Sequence, residues 1–403
     1  MRNATGNTSM FRQFTVLFAG LIVVQLINFL FSLLFPRYFT PEVFAEFGVF
    51  TSIVFILIEV INAKLDIALM LGKDDAEVKR ILNAAFTMAC IASLLLFTFQ
   101  TIFLFFIPQV YLLLTPTIFL YGIQQPILVY WNKLEKYVSI NIFRTIQVIC
   151  TGGFTIAFGI LHIRHAPILG FVIGVCISTI YLLLITRPKF SWETLKQIFK
   201  QYDQFPKYGT WSALLNNFSR NSIPILLSVF FPMSLVGLYA YATRLLNAPT
   251  GMYTSALGQI YFKKAAESER SELKKITRNS IRNTFLLSII PSIIILFFGR
   301  EIFAFLFHHE WADAGKIAQY LILWYLCGVV VSPVSTILDI RNKLKFEFNF
   351  NLTLSLGRVI AILIGGVMHQ FYVAIFLFAL IGIVMNVYLL YYIQNRILNF
   401  DRN

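Results

Sequence analysis

The sequence predicts an all-α protein that crosses a membrane twelve times. Three observations carry that expectation: a composition too apolar for a water-soluble core, continuous apolar runs of helical length, and a regular alternation of basic residues between loops. Of 403 residues, 58% are hydrophobic and 13% charged, and the mean hydropathy is +0.74. One soluble core cannot hide that much apolar surface, so lipid is the expected solvent. A lipid-exposed backbone must satisfy its own hydrogen bonds, which leaves helices or closed barrels. Barrel strands read as alternating segments of about ten residues, whereas these runs are continuous and long enough to span a hydrocarbon layer of about 30 Å as helices.

Division at the polar clusters gives spans at 14–35, 46–71, 81–107, 109–131, 142–163, 166–186, 210–232, 235–262, 283–307, 316–339, 349–368 and 371–394. The first follows Arg2 and Arg12, is too long for a signal-peptide core and lacks a small-residue cleavage site, so it reads as a retained span. Of the 33 Lys and Arg, 25 fall at the termini or in alternate loops, at 72–80, 132–144, 187–209, 263–282 and 340–348. The opposite loops hold only Arg37, Arg164, Arg300 and Lys316, and Lys64, Arg220, Arg244 and Arg358 lie within spans. The positive-inside rule therefore places both termini in the cytoplasm. The basic excess is topological and needs no nucleic-acid partner. Arg37, beside Pro36, reads as an interfacial anchor.

Segment 187–209 divides the chain into an N-terminal lobe (1–186, spans one to six), a cytoplasmic linker (187–209) and a C-terminal lobe (210–403, spans seven to twelve). Each lobe opens alike: Phe35-Pro36 before Phe47-Gly48-Val49-Phe50, and Phe231-Pro232 before Val236-Gly237-Leu238-Tyr239. Six spans per lobe give both the same orientation, a parallel pseudo-twofold repeat with a substrate path expected between them. Segments 187–209 and 263–282 read either as basic amphipathic helices on lipid headgroups or as plain connectors.

Charged groups at bilayer depth are costly and mark cavities or partners. Gln25, Asn28 and Ser32 share one face of the first span, and Glu59, Asn62 and Asp66 one face of the second, with Lys64 turned about 140° from Glu59 on a regular helix. Asn216, Asn217, Arg220 and Asn221 precede Pro224 in the seventh span. In the eighth, Tyr241 and Arg244 precede Pro249 and Gly251, where a kink is expected. Asn351, Ser355 and Arg358 align on the eleventh. Arg220 and Arg244, near their helix midpoints, are the leading substrate-binding candidates. Lys64 either lines a cavity or snorkels to the cytoplasmic edge, and Arg358 either binds or braces the bundle. Glu59 and Asp66 either pair structurally with the arginines or bind a coupling ion. His308-His309-Glu310 lacks zinc-helix spacing, and no metal, cofactor or catalytic residue is expected. Cys90, Cys150, Cys176 and Cys327 sit in apolar runs without metal or disulfide spacing.

Phe35-Pro36-Arg37-Tyr38-Phe39-Thr40-Pro41-Glu42, Leu65-Asp66-Ile67-Ala68-Leu69-Met70, and Val236-Gly237-Leu238-Tyr239 with Arg244-Leu245-Leu246-Asn247-Ala248-Pro249 resemble the Wzx-type O-antigen and polysaccharide-repeat flippases of the multidrug/oligosaccharidyl-lipid/polysaccharide exporter superfamily. Lys64 stands where that family usually carries Arg. The resemblance implies a V-shaped pair of six-helix lobes in a bacterial inner membrane. It also implies alternating access that carries undecaprenyl-pyrophosphate-linked oligosaccharide from the cytoplasmic to the periplasmic leaflet, alongside a polysaccharide polymerase and chain-length proteins. On that reading Arg220 and Arg244, with Lys64 third and Arg358 beyond, meet the pyrophosphate. Gln25, Asn28, Asn216, Asn217 and Tyr241 meet sugar hydroxyls. A cation-coupled drug antiporter of the same superfamily is the alternative, with Glu59 and Asp66 as its coupling carboxylates. A polymerase, the enzyme alternative, would need a large outer loop, and no loop in the outward set exceeds about a dozen residues.

Overall fold

The computed structural model describes residues 3–102, 108–268, 270–341 and 343–398. The side chains of residues 3–18 and of several others, Asn216 among them, lie outside that description. Among the described residues every regular element is helical. Within these described residues, ten helices are long and apolar enough to cross a membrane: Ala19–Arg37, Pro41–Ile61, Asp75–Ile102, Gln109–Lys133, Tyr137–Ile160, Ala166–Thr186, Glu272–Phe307, His309–Ser335, Lys345–Val367 and Phe371–Leu398. The protein is a multi-pass helical membrane protein.

The seventh and eighth expected spans are not among the ten. The seventh breaks at Ser222 into two short helices, Thr210–Asn221 and Ile223–Phe230. Pro224 has no amide hydrogen to give the helix before it, which makes this a natural place for the break. The eighth is a single helix of 35 residues, Met233–Glu267, whose centre is diluted by Arg244, Asn247 and Thr250. The kink expected there is not a break in helical structure, since the helix runs on through Pro249.

The chain forms two compact units: Met1–Phe39 with Glu46–Ile225, and Thr40–Ala45 with Leu226–Asn403. The first holds α1 (Asn3–Leu34), most of α2 (Pro41–Ile61), α3 (Asp75–Ile102), α4 (Leu114–Lys133), α5 (Tyr137–Ile160), α6 (Ala166–Thr186), α7 (Trp192–Gln201) and α8 (Thr210–Asn221). Lipid tails give two apolar helices little reason to associate, so small residues that let backbones approach do that work. Gly170 and Gly174, four residues apart on α6, lie against Thr155 and Thr151 of α5. A Cβ on Gly174 would stand 2.6 Å from the Thr151 backbone nitrogen. Beside this seam, Trp131, Ile81, Leu82 and Ile198 form a closed apolar core.

Amphipathic α7 is capped by Ser191, whose Oγ accepts from the Thr194 amide at 3.3 Å. It buries Leu195 and Ile198. It is fixed to α3 by Arg80 Nη2 donating to Gln197 Oε1 at 2.6 Å and Gln201 Nε2 donating to Glu77 Oε1 at 2.8 Å.

The second unit contains α9 (Ile223–Phe230) beyond its first residues, α10 (Met233–Glu267), α11 (Arg270–Phe307), α12 (Ala312–Ser335), α13 (Leu344–Val367) and α14 (Phe371–Tyr392). Within it, Gly299 of α11 and Gly315 of α12 meet backbone to backbone, as do Gly365 of α13 and Ala374 of α14. On α11, Leu286, Leu287, Ile290, Phe297 and Phe298 are exposed, an apolar face that hydrocarbon would cover.

Candidate functional site

The local chemistry begins at a fault in α2. The helix ends at Ile61 and restarts at Leu65–Ala68. Between them Ala63 (φ 47°) and Lys64 (φ 57°) adopt the left-handed conformation, which costs an L-residue with a Cβ about 1–3 kcal/mol each. The Ala63 amide donates to Val60 O at 3.1 Å and the Leu65 amide to Asn62 O at 2.9 Å, forming a turn where a helix was expected. The turn corrects the placement of Lys64. Its ammonium neither points 140° away from Glu59 nor snorkels; it is ion-paired with the Glu59 carboxylate, and both side chains are largely buried. Asp66, on the short segment beyond, is buried as well. Asn62 pins the fault to α4 by donating Nδ2 to Gln125 Oε1 at 3.3 Å.

Beside this turn the first unit holds an open cavity of about 300 Å³. α2 supplies Glu59, Phe55 and Ile58; α4 supplies Tyr121, Gln124, Gln125 and Leu128; α5 supplies Phe143, Arg144 and Gln147; α8 supplies Asn217 and Asn221. The amides are organised. Gln124 Nε2 donates to Val175 O at 3.1 Å, Ser178 Oγ at 3.1 Å and Thr179 Oγ1 at 2.8 Å, so α6 fixes its orientation. Its Oε1 then accepts from Gln147 Nε2 at 3.3 Å. Asn221 Nδ2 donates to Asn217 Oδ1 at 3.3 Å.

Arg144 is the cation that the sequence reading missed. Counted there with the cytoplasmic loop at 132–144, it lies seven residues inside α5, about 10 Å along the helix. Its Nη1 is buried without a hydrogen-bond partner. Among the described residues no carboxylate lies within ion-pairing distance of it. Asn141, Arg144 and Gln147 recur at three-residue spacing, a polar stripe on α5 that could have revealed it. With Glu59 neutralised by Lys64, the cavity keeps an uncompensated guanidinium among carboxamides, a phenol and two aromatic rings. Such a lining suits an anion that also carries hydroxyl groups.

Of the residues expected to bind substrate, Asn217 lines this cavity, as does Glu59, expected to bind a coupling ion. Gln25 and Asn28 are half-buried on α1 and do not line it, and Arg220 on α8 is exposed. Asn216 has a side chain outside the described residues. Arg244, Arg358 and Tyr241 belong to the second unit. Arg244 is half-buried on α10. Arg358 is stacked against aromatic rings, its Cζ 4.5 Å from the Trp324 ring centre and 4.7 Å from that of Phe378, with Nε buried and unpartnered. Tyr241 is fully buried within an aromatic cluster of Phe44, Phe303, Phe307 and Trp311, its ring centre 4.6 Å from that of Trp311. A phenol sealed in this way is a packing group in this conformation, not a lining one.

The fold is shared with known transporters. The structure is similar to the lipid II flippase MurJ in its inward closed conformation, with a TM-score of 0.76 at 16% identity over 94% of this chain and 87% of that one. It is also similar to an inward-facing multidrug resistance MATE family transporter of the MOP superfamily (TM-score 0.60, 14% identity, 94% of this chain and 96% of that one). A third similar structure is a MOP superfamily transporter from Pyrococcus furiosus Vc1 (DSM3638), whose binding pocket is described as having reverse polarity (TM-score 0.59, 12% identity, 96% and 95%). No curated relative matches the sequence. The family described as polysaccharide biosynthesis protein matches residues 35–316. That match covers well over half of the sequence, and with it the chain belongs to the polysaccharide biosynthesis protein family.

Proposed function

We propose that the protein is a flippase that carries an undecaprenyl-pyrophosphate-linked oligosaccharide, an O-antigen or capsule repeat unit, from the cytoplasmic to the periplasmic leaflet of a bacterial inner membrane. On this reading it has twelve spans with both termini cytoplasmic, and it works by alternating access between the lobes at 1–186 and 210–403. The observation that carries the reading is Arg144: a guanidinium without a carboxylate partner among the described residues, inside an apolar helix and facing a cavity lined with amides. A lone cation in such a place is costly, and a pyrophosphate or an acidic sugar relieves that cost by accepting from its fork. Gln125, Gln147, Asn217 and Asn221 offer donors and acceptors to sugar hydroxyls, and Phe55 and Phe143 offer faces to the apolar side of a pyranose. The polyprenyl chain stays in lipid.

Arg220 and Arg244 remain candidate contacts along the path for the headgroup, with Gln25, Asn28 and Asn216 for the sugars. Lys64 contributes less to anion binding than its charge suggests, because Glu59 neutralises it. A cationic drug would meet net positive charge in this cavity, which favours the flippase over an antiporter. The test is Arg144→Glu expressed in a strain lacking the native gene, with membrane level confirmed. Surface polysaccharide should fall sharply and the lipid-linked intermediate accumulate on the cytoplasmic leaflet. Undiminished polymer at normal membrane level would refute the assignment.

A further inference from the structure

The fault in α2 has no glycine or proline to cause it. Two L-residues are held left-handed in succession, and strain of this kind persists where the surroundings impose it. Its local result is specific: Lys64, which a regular helix would turn away, brings its ammonium back onto Glu59. The Glu59 carboxylate borders the cavity, and its buried Oε2 is the atom that the Lys64 ammonium meets. One turn along the same face, Asn62 Oδ1 is buried and unpartnered, while its Nδ2 is committed to Gln125. Two buried oxygen acceptors therefore belong to the fault: a carboxylate held by the lysine ammonium and an amide oxygen left uncommitted. A buried carboxylate on a positive charge, with an uncommitted amide oxygen one turn along, is a donor set that also suits a hard monovalent metal ion.

We propose that the Lys64 ammonium occupies a latent monovalent-cation site built from Glu59 and Asn62, so that the protein carries a tethered cation where a sodium ion would otherwise bind. While Lys64 is paired, the site is closed to free ions; removal of the ammonium opens it. This inference concerns ion binding and holds whatever the cargo, so its failure is separable from failure of the flippase reading.

The test uses the full chain purified in lipid nanodiscs at about pH 8.5, well above the usual carboxylate range. Thermal unfolding is followed while sodium, potassium or ammonium chloride replaces choline chloride at constant ionic strength. Lys64→Gly removes the ammonium and tolerates the left-handed backbone; Lys64→Met is the second variant and keeps the side-chain length. In one or both variants, a small cation should raise Tm by at least about 2 °C relative to choline, as expected for a ligand that binds only the folded state. Wild type should show no such rise, and Glu59→Gln added to the Lys64 variant should abolish it. The proposal is overturned if neither Lys64 variant responds to any of the three cations. A sodium-specific rise in wild type that Glu59→Gln removes overturns it equally.

Discussion

Gln147 on α5 donates its Nε2 to Gln124 Oε1 on α4 at 3.3 Å, and that contact joins the cavity wall to the packed interior of the first unit. Gln124 can receive it because its own amide is fixed by Val175, Ser178 and Thr179 on α6. Gln124→Leu removes the anchor and leaves Gln147 without its acceptor. The expected cost is about 1–3 kcal/mol for the lost buried hydrogen bonds, seen as a lower Tm of the purified protein, with weaker flipping as Gln147 loses its orientation.

Charge and geometry at Arg144 separate by substitution. Arg144→Lys keeps a cation but not the planar fork that grips two oxygens at once, so flipping should persist at a reduced rate. Arg144→Gln, which keeps neither, should reduce it at least about tenfold, the equivalent of one charge-assisted contact. Quantifying lipid-linked intermediate per unit of membrane-inserted protein distinguishes the three; equal rates would remove Arg144 from the path.

Helix association in the first unit hinges on the seam between α5 and α6. Gly174→Val would place a Cβ 2.6 Å from the Thr151 backbone nitrogen, a contact that no side-chain rearrangement relieves. The helices must separate, at a cost of about 1–3 kcal/mol or more. Fluorescence-detected size exclusion in mild detergent should show a smaller folded peak. Gly153→Ala, with open space around it, should leave the peak unchanged.

Bracing and binding at Arg358 predict opposite results. A guanidinium stacked on Trp324 and Phe378 with an unpartnered Nε is a buried charge whose desolvation offsets much of its attraction. Arg358→Met, which refills the volume, should hold the unfolding free energy within about 1 kcal/mol of wild type. Arg358→Ala, which leaves a cavity, should cost about 2–4 kcal/mol. Loss of flipping in Arg358→Met at wild-type stability would restore a direct role with the substrate.

Ten of the twelve apolar runs could be read directly because lipid imposes one rule on all of them: twenty or so residues with few charges. The seventh and eighth spans follow that rule only loosely, since Arg220, Asn221 and Pro224 interrupt one and Arg244 to Gly251 dilute the other. The site was harder to read. Arg144 was assigned to a loop because α5 begins at Tyr137, directly after Glu135 adopts a left-handed turn, and a turn at Glu carries no composition signal. Lys64 was misplaced because helical arithmetic was carried across a fault marked by no glycine or proline. Tyr241 looked accessible on α10 alone; its burial depends on Phe44, nearly two hundred residues earlier, and on Trp311, seventy residues later. Apolar runs are local properties of the chain, whereas cavity walls depend on which distant residues arrive.

The length of α11 has a practical consequence. Its 38 residues measure about 57 Å at 1.5 Å each, nearly twice a hydrocarbon layer of about 30 Å. The surplus falls at the end bearing Lys274, Lys275, Arg278 and Arg282, where Leu273 and Thr277 are buried and tie the helix to the core of the second unit. A compact soluble domain grafted there in helical register would move with the bundle, giving electron microscopy an alignment marker for a particle otherwise buried in its nanodisc.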